Sequence, residues 1–166
     1  IKALQFLEST HSLIICVDCG TLSHKAIESL STSDLIVLDH HLASEILPKC
    51  YAVVNPNRQD ELGDLSHLCA AAVVFLCLVE IRRLLRLDAA KSPDLLNMLD
   101  LVALATVADV APLVGVNRAF VRQGLKILAG RKRIGLAALS DQVKIDQELS
   151  TYHLGFLLGP RINAGG

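Results

Sequence analysis

Tryptophan is absent, methionine occurs once, and aromatic residues fill only 4% of the 166 positions, although 52% of the chain is apolar. The core must therefore be assembled from Leu, Val, Ile and Ala, a mixture that suits helices packed on a parallel sheet. Four Phe and two Tyr are too few for the row of rings on which single-strand binders stack bases. An excess of one charge is missing as well. Lys and Arg number 16 against 17 Asp and Glu, a formal net charge of −1, which excludes the broad basic footprint of a duplex-coating protein. Any nucleic acid must be held locally, in a cleft. No apolar run reaches the roughly 20 residues that a membrane span requires. The longest, about 68–79 and 95–107, are interrupted by Cys, Asn97 or Asp100, so no membrane partner is expected. Five cysteines form an odd set without small-scaffold spacing, and no signal-peptide pattern precedes them, which points to a reducing, cytoplasmic setting.

The length suits one domain. Because the first residue is Ile1 and the last are Ala164-Gly165-Gly166, both ends are expected to be cut, leaving a partial domain over 1–166. Its front part, 1–60, reads as α/β and its rear part, 61–166, as mainly helical. After a first helix over 1–8, residues 12–17 form a short β-type run that leads through Asp18-Cys19-Gly20-Thr21 into a helix over 23–30. Residues 34–38 repeat the pattern and end at Asp39-His40-His41. A third strand, 51–54, ends at Asn55-Pro56-Asn57-Arg58, where proline stops any helix. Longer helices are predicted over 67–87, 92–107 (Ser92 as N-cap, Pro93 in the first turn), 116–129, 135–143 and 151–158. The predicted fold class is α/β, a mostly parallel sheet flanked by helices, followed by a helical segment. The sheet is expected to begin upstream of Ile1.

In open α/β sheets ligands bind beyond the carboxyl ends of the strands, and here two successive strands end in metal-capable groups. Asp18 follows the first and Asp39-His40-His41 the second. Neighbouring strands lie about 4.8 Å apart, so a carboxylate on one and an imidazole on the next can reach a shared ion. Oxygen donors with an imidazole suit Mn²⁺ or Mg²⁺ better than structural Zn²⁺. Asp109 closes an apolar helix among apolar neighbours, where a carboxylate is usually paired or metal-bound. Each has a plainer reading. Asp18 alone reads first as a turn or N-cap residue, one histidine of the pair could simply bond the backbone, and Asp109 could be a helix-end carboxylate. The three together favour a metal site.

Val17-Asp18-Cys19-Gly20, Leu38-Asp39-His40-His41, Val54-Asn55-Pro56-Asn57, Ala105-Thr106-Val107-Ala108-Asp109-Val110 and Gly159-Pro160-Arg161-Ile162-Asn163-Ala164-Gly165-Gly166 resemble, in order and spacing, successive motifs of the DHH phosphoesterase superfamily, above all its RecJ-like branch. The resemblance covers nearly the whole chain. It implies a metal-dependent 5′→3′ exonuclease that hydrolyses single-stranded DNA from a 5′ end in repair and recombination, using two Mn²⁺ or Mg²⁺ ions. Asp18 matches the family aspartate that bridges the ions, and His40 and Asp109 match further metal ligands. His41 matches a histidine that contacts the scissile phosphate or donates a proton there, and Asp39 would orient the histidines. Arg161 and Asn163 match a loop that faces the active site, where the arginine would hold the 5′-terminal phosphate.

Three departures qualify this expectation. Residues 1–166 are expected to lie between the family's Asp-x-Asp-Gly-type first motif and its strand-gripping domain and so to include neither, and Ala72 stands where the family pattern has glycine. The isolated chain is therefore expected to bind Mn²⁺ weakly at most and to lack exonuclease activity. Alternatives are a phosphoesterase for short oligonucleotides or nucleotide bisphosphates, and a non-catalytic scaffold that assembles with repair or replication proteins. Cys16 and Cys19 spell C-x-x-C but read as buried, inert thiols, as do Cys69 and Cys77. His11, His24, His67 and His153 read as surface or helix-end residues, and Asn117 and Arg118 as helix caps. Arg131-Lys132-Arg133 reads as a solvated loop before a DNA contact, and Arg58 as a loop residue unless its turn faces the cleft.

Overall fold

The computed structural model describes residues 2–86 and 92–165. The chain divides into two compact units, Ile1–Val74 and Phe75–Gly166. In the first, α1 (Lys2–Glu8), β1 (Leu13–Val17), α2 (His24–Ile27), β2 (Asp34–Leu38) and β3 (Ala52–Val54) follow in order. The three strands are parallel in the order β1-β2-β3, as the run of short β-type segments ending in polar residues predicts. Val17 pairs with Leu38, and Leu38 with Val54, so all three strands end level. The ladder runs one residue further: the Asp18 amide donates to the Leu38 carbonyl and the Asp39 amide to that of Val54, each at 3.0 Å.

One face of this sheet carries the core of the unit. Ile14, Leu35 and Val37 from the strands meet Ile27 from α2, with Leu4, Cys16, Leu30, Cys50 and Val53 packed around them. Gly20 is needed where the chain leaves β1. Its φ is +119°, and a Cβ there would lie 3.0 Å from a Val37 methyl. At the other end, the Glu8 carboxylate accepts the Ser31 and Thr32 amides and ties α1 to the turn before β2. Those backbone bonds hold its carboxyl below the usual range.

A long helix, α3 (Ala70–Leu84), carries the chain across the boundary between the units. It starts later than the predicted 67, where the Cys69 carbonyl accepts the amides of Ala72 and Val73; Leu87, the predicted end, lies outside the described residues. Ala72 is fully buried in it. The second unit continues with a 3₁₀ turn (Leu96–Met98), α4 (Leu99–Ala108), α5 (Gly115–Ala129), α6 (Ile134–Gln142), a π-helical stretch (His153–Leu158) and α7 (Gly159–Ala164). Ala103, Leu104, Val121, Leu128, Leu154 and Leu158 form its core. Gly124 brings α5 onto α4 so closely that a Cβ would overlap the Leu99 carbonyl oxygen.

Several sequence expectations are corrected here. Ser92 and Pro93 do not cap a helix: the first turn is the 3₁₀ stretch Leu96–Met98 with Leu95 at its N-cap, and Asp94 before it accepts the Leu96 amide at 3.1 Å and the Asn97 side chain at 2.6 Å. Carboxylates satisfy exposed N-terminal amides as well as hydroxyls do, and Asp94 sits nearer the apolar run. Asn117 is no cap either. It is fully buried in the first turns of α5 and holds the Pro112 carbonyl at 3.0 Å. His153 is buried, bonded through Nδ1 to the Ser150 amide and through Nε2 to Gln147. Finally, the Gly-Pro-Arg-Ile-Asn-Ala segment is helix α7, not a loop. Proline is favourable in a first helical turn, and Gly159 serves close packing, because a Cβ there would meet the Leu154 carbonyl at 2.9 Å and Ala108 at 3.0 Å.

Candidate metal centre

The level strand ends concentrate polar chemistry at one edge of the first unit. Asp18 follows β1 with φ of +62°, a left-handed conformation that aspartate tolerates better than most residues. Its side chain is exposed, and its Oδ1 lies 3.2 Å from Nε2 of the half-buried His40. Among the described residues Asp18, His40 and His41 are the one group of three whose donor atoms all come within 4.8 Å of one another. The spacing suits an ion: ligands about 2.1 Å from an octahedral centre sit roughly 3 Å from each other. A donor set of carboxylate oxygen and imidazole nitrogen fits Mn²⁺ or Mg²⁺.

Beneath the cluster lies Asp39, whose side chain is 2% exposed. Its Oδ1 accepts the His40 amide at 2.8 Å, the His41 amide at 3.3 Å and the His41 Nδ1–H at 2.7 Å; its Oδ2 accepts the Thr21 amide at 3.0 Å. Burial alone would raise this carboxyl, but the bonds from His41, from the Thr21 hydroxyl and from the backbone amides outweigh it and hold the group well below the usual carboxylate range. An ionised carboxylate can only accept, so it fixes the proton of His41 on Nδ1 and turns Nε2 to the outer side of the ring. Asp39 thus fixes both histidines, one through its amide and one through its ring.

A second layer fixes the first. Asn55, 3% exposed, donates from Nδ2 to the Thr21 hydroxyl at 3.0 Å and to the His41 carbonyl at 2.8 Å. Its Oδ1 accepts the Asn57 amide at 2.7 Å, and Asn57 holds the His40 carbonyl at 2.6 Å. The loop after β3 therefore grips the backbone of both histidines. Sequence reading missed these roles for Thr21, Asn55 and Asn57. The available signal was two asparagines flanking a proline at a strand end, a pattern that makes side-chain to backbone bonds.

The other expected residues lie in the second unit. Asp109 is the C-cap of α4 and is exposed. Its apolar neighbours in sequence do not bury it: Val110 is 87% exposed. Val110 also takes φ of +55°, a strained setting for a β-branched residue, as the Ala111 amide closes the helix end onto the Thr106 carbonyl at 3.1 Å. Arg161 and Asn163 are exposed on α7, and Arg161 Nη1 donates to the Leu157 carbonyl at 2.8 Å.

The arginines and cysteines of the other motifs are engaged or placed locally. Arg58 is spent on Asp60 and the Val53 carbonyl, Arg131 on Asp141 and Arg133 on Asp100. Cys16, on β1, is half-buried, and Cys19 is exposed because the turn at Asp18 swings this fourth residue of the motif away from the core. Burial, then the neighbouring Cys19, push the Cys16 thiol up.

Fold and cluster together define an α/β chain that presents a carboxylate and two imidazoles at the ends of parallel strands. The chain belongs to the DHH family: the model described as "DHH family, N-terminal domain" matches residues 2–106. It is similar to the single-stranded-DNA-specific exonuclease RecJ of Escherichia coli (strain K12), at 40% identity over 93% of this chain and 28% of that protein. The protein of the same name from Salmonella typhimurium is 42% identical over the same shares. A crystal structure of RecJ in complex with Mn²⁺ from Thermus thermophilus superposes with a TM-score of 0.83 at 32% identity, over 99% of this chain and 24% of that one. The chain thus spans between a quarter and a third of the length of the curated relatives cited.

Proposed function

We propose that this chain carries part of the catalytic core of a 5′→3′ exonuclease that hydrolyses single-stranded DNA, acting in the cytoplasm in repair and recombination. The observation that carries the reading is the Asp18–His40–His41 cluster locked from below by Asp39. Support comes from likeness to RecJ exonucleases over more than nine-tenths of the chain. Asp18, His40 and Asp109 would hold Mn²⁺ or Mg²⁺. When bound, the ions supply a nucleophile at neutral pH and neutralise charge on the phosphate.

The chain's own residues do the rest. The carboxylate of Asp39 at Nδ1 stabilises the doubly protonated ring of His41, which can hold a proton at Nε2 and pass it to the oxygen leaving the scissile phosphate. Thr21, Asn55 and Asn57 keep that ring and His40 in place, so little reorganisation is needed as the reaction proceeds. Arg161 offers a planar donor fork for a 5′-terminal phosphate, with Asn163 beside it on α7.

The test is hydrolysis by the full-length protein with Mn²⁺ on 5′-phosphorylated single strands, on duplexes and on dinucleotides. The proposal requires preference for the long single strand and its loss in His41→Ala and Asp18→Ala. Equal or faster turnover of dinucleotides would overturn it, and so would full activity in His41→Ala.

A further inference from the structure

Helix α5 is the most basic helix of the second unit. Its 15 residues hold Arg118, Arg122 and Lys126 and no Asp or Glu, so none of the stabilising i,i+4 pairs of opposite charge can form along it. Its core face takes Asn117, Phe120, Val121, Gly124 and Leu128. On the exposed side stand Arg118, Arg122 and Lys126, four residues apart, each about 6 Å further along the axis. Like charges at this spacing repel and weaken a helix. Among the described residues, none of the three is paired with a carboxylate. In the same unit Arg83, Arg131 and Arg133 pair with Glu80, Asp141 and Asp100; among the described residues Arg82, Lys132, Lys144 and Arg161 lack a carboxylate partner too, but only on α5 do three such cations follow one another at i,i+4 spacing. With a net charge of −1, the bare cations are no by-product of a basic chain.

We infer that the outer face of α5 is a phosphate track for single-stranded nucleic acid, formed by Arg118, Arg122 and Lys126. The inference rests on the nucleic-acid reading above and adds residues that the strand-end cluster does not contain. The cation spacing is comparable with that of successive phosphates on an extended strand. Ala119 and Gln123, the other exposed residues of these turns, offer no ring for stacking. The track therefore grips backbone rather than bases and is indifferent to sequence.

The experiment is binding of fluorescent single-stranded oligonucleotides to the full-length protein by anisotropy, in EDTA to prevent hydrolysis, across a range of salt. Each phosphate contact on a single strand contributes about 0.7 to the slope of log affinity against log salt, so replacing all three cations (Arg118→Gln, Arg122→Gln, Lys126→Gln) lowers its magnitude by about 2. The loss is equal for oligonucleotides of different sequence. Arg118→Lys with Arg122→Lys keeps the slope, and dinucleotide hydrolysis is unchanged in both variants. A triple variant that melts like wild type yet keeps the wild-type slope overturns the track alone. Wild type that binds no single strand at all overturns the nucleic-acid reading and the track with it.

Discussion

Replacing Asp39 with asparagine isolates the charge beneath the cluster with almost no change in shape. If the amide keeps its oxygen at the Oδ1 position it still accepts from the His40 and His41 amides and from His41 Nδ1, but its NH₂ then faces the Thr21 amide, which is also a donor. One buried pair is lost outright and three others lose charge assistance. Hydrogen bonds to ionised groups contribute about 1.5–3 kcal/mol each, so the variant should be less stable by about 3 kcal/mol near neutral pH. Acid narrows the gap. The folded carboxyl is held below the usual range, so below about pH 4 the unfolded wild-type chain binds the proton that the folded one refuses, and wild-type stability falls. The variant lacks this group, so its own stability falls less over that interval. Urea unfolding followed by far-UV circular dichroism at several pH values measures both effects. A variant within about 0.5 kcal/mol of wild type near neutral pH, or a gap that does not narrow in acid, would refute the reasoning.

Two further substitutions probe the support of the site and the packing of the second unit. Thr21→Val conserves volume but removes the hydroxyl that Asn55 donates to; it should cost about 1–2 kcal/mol in urea melts and lower activity more than its stability loss explains. Gly124→Ala must part α4 from α5, since its Cβ would overlap the Leu99 carbonyl, and thermal melts should report a loss of about 2 kcal/mol or more.

Much of this architecture was legible in the sequence because the sheet and the cluster share one cause. Short apolar strands that stop at Asp18 and at Asp39-His40-His41 must, when parallel and level, bring those residues to one edge. Less legible was anything set by the distant partner of a side chain. Thr21, Asn55 and Asn57 look like ordinary turn residues until β3 is laid beside β2, and only then do their bonds reach the histidine backbone. The Gly159–Ala164 helix was hidden for a related reason: Gly159-Pro160 reads as loop until Ala108 is seen against Gly159. The exposure of Asp109 was not legible from its apolar neighbours, because a left-handed Val110 is itself turned outward to solvent.

The central claim is that the strand ends form a metal centre, and its most direct test is Mn²⁺ binding to the full-length protein, followed by electron paramagnetic resonance titration. The account predicts saturable binding in wild type that weakens at least tenfold, about 1.4 kcal/mol, in His40→Ala and in Asp18→Ala. Folded variants that bind Mn²⁺ as wild type does would contradict it.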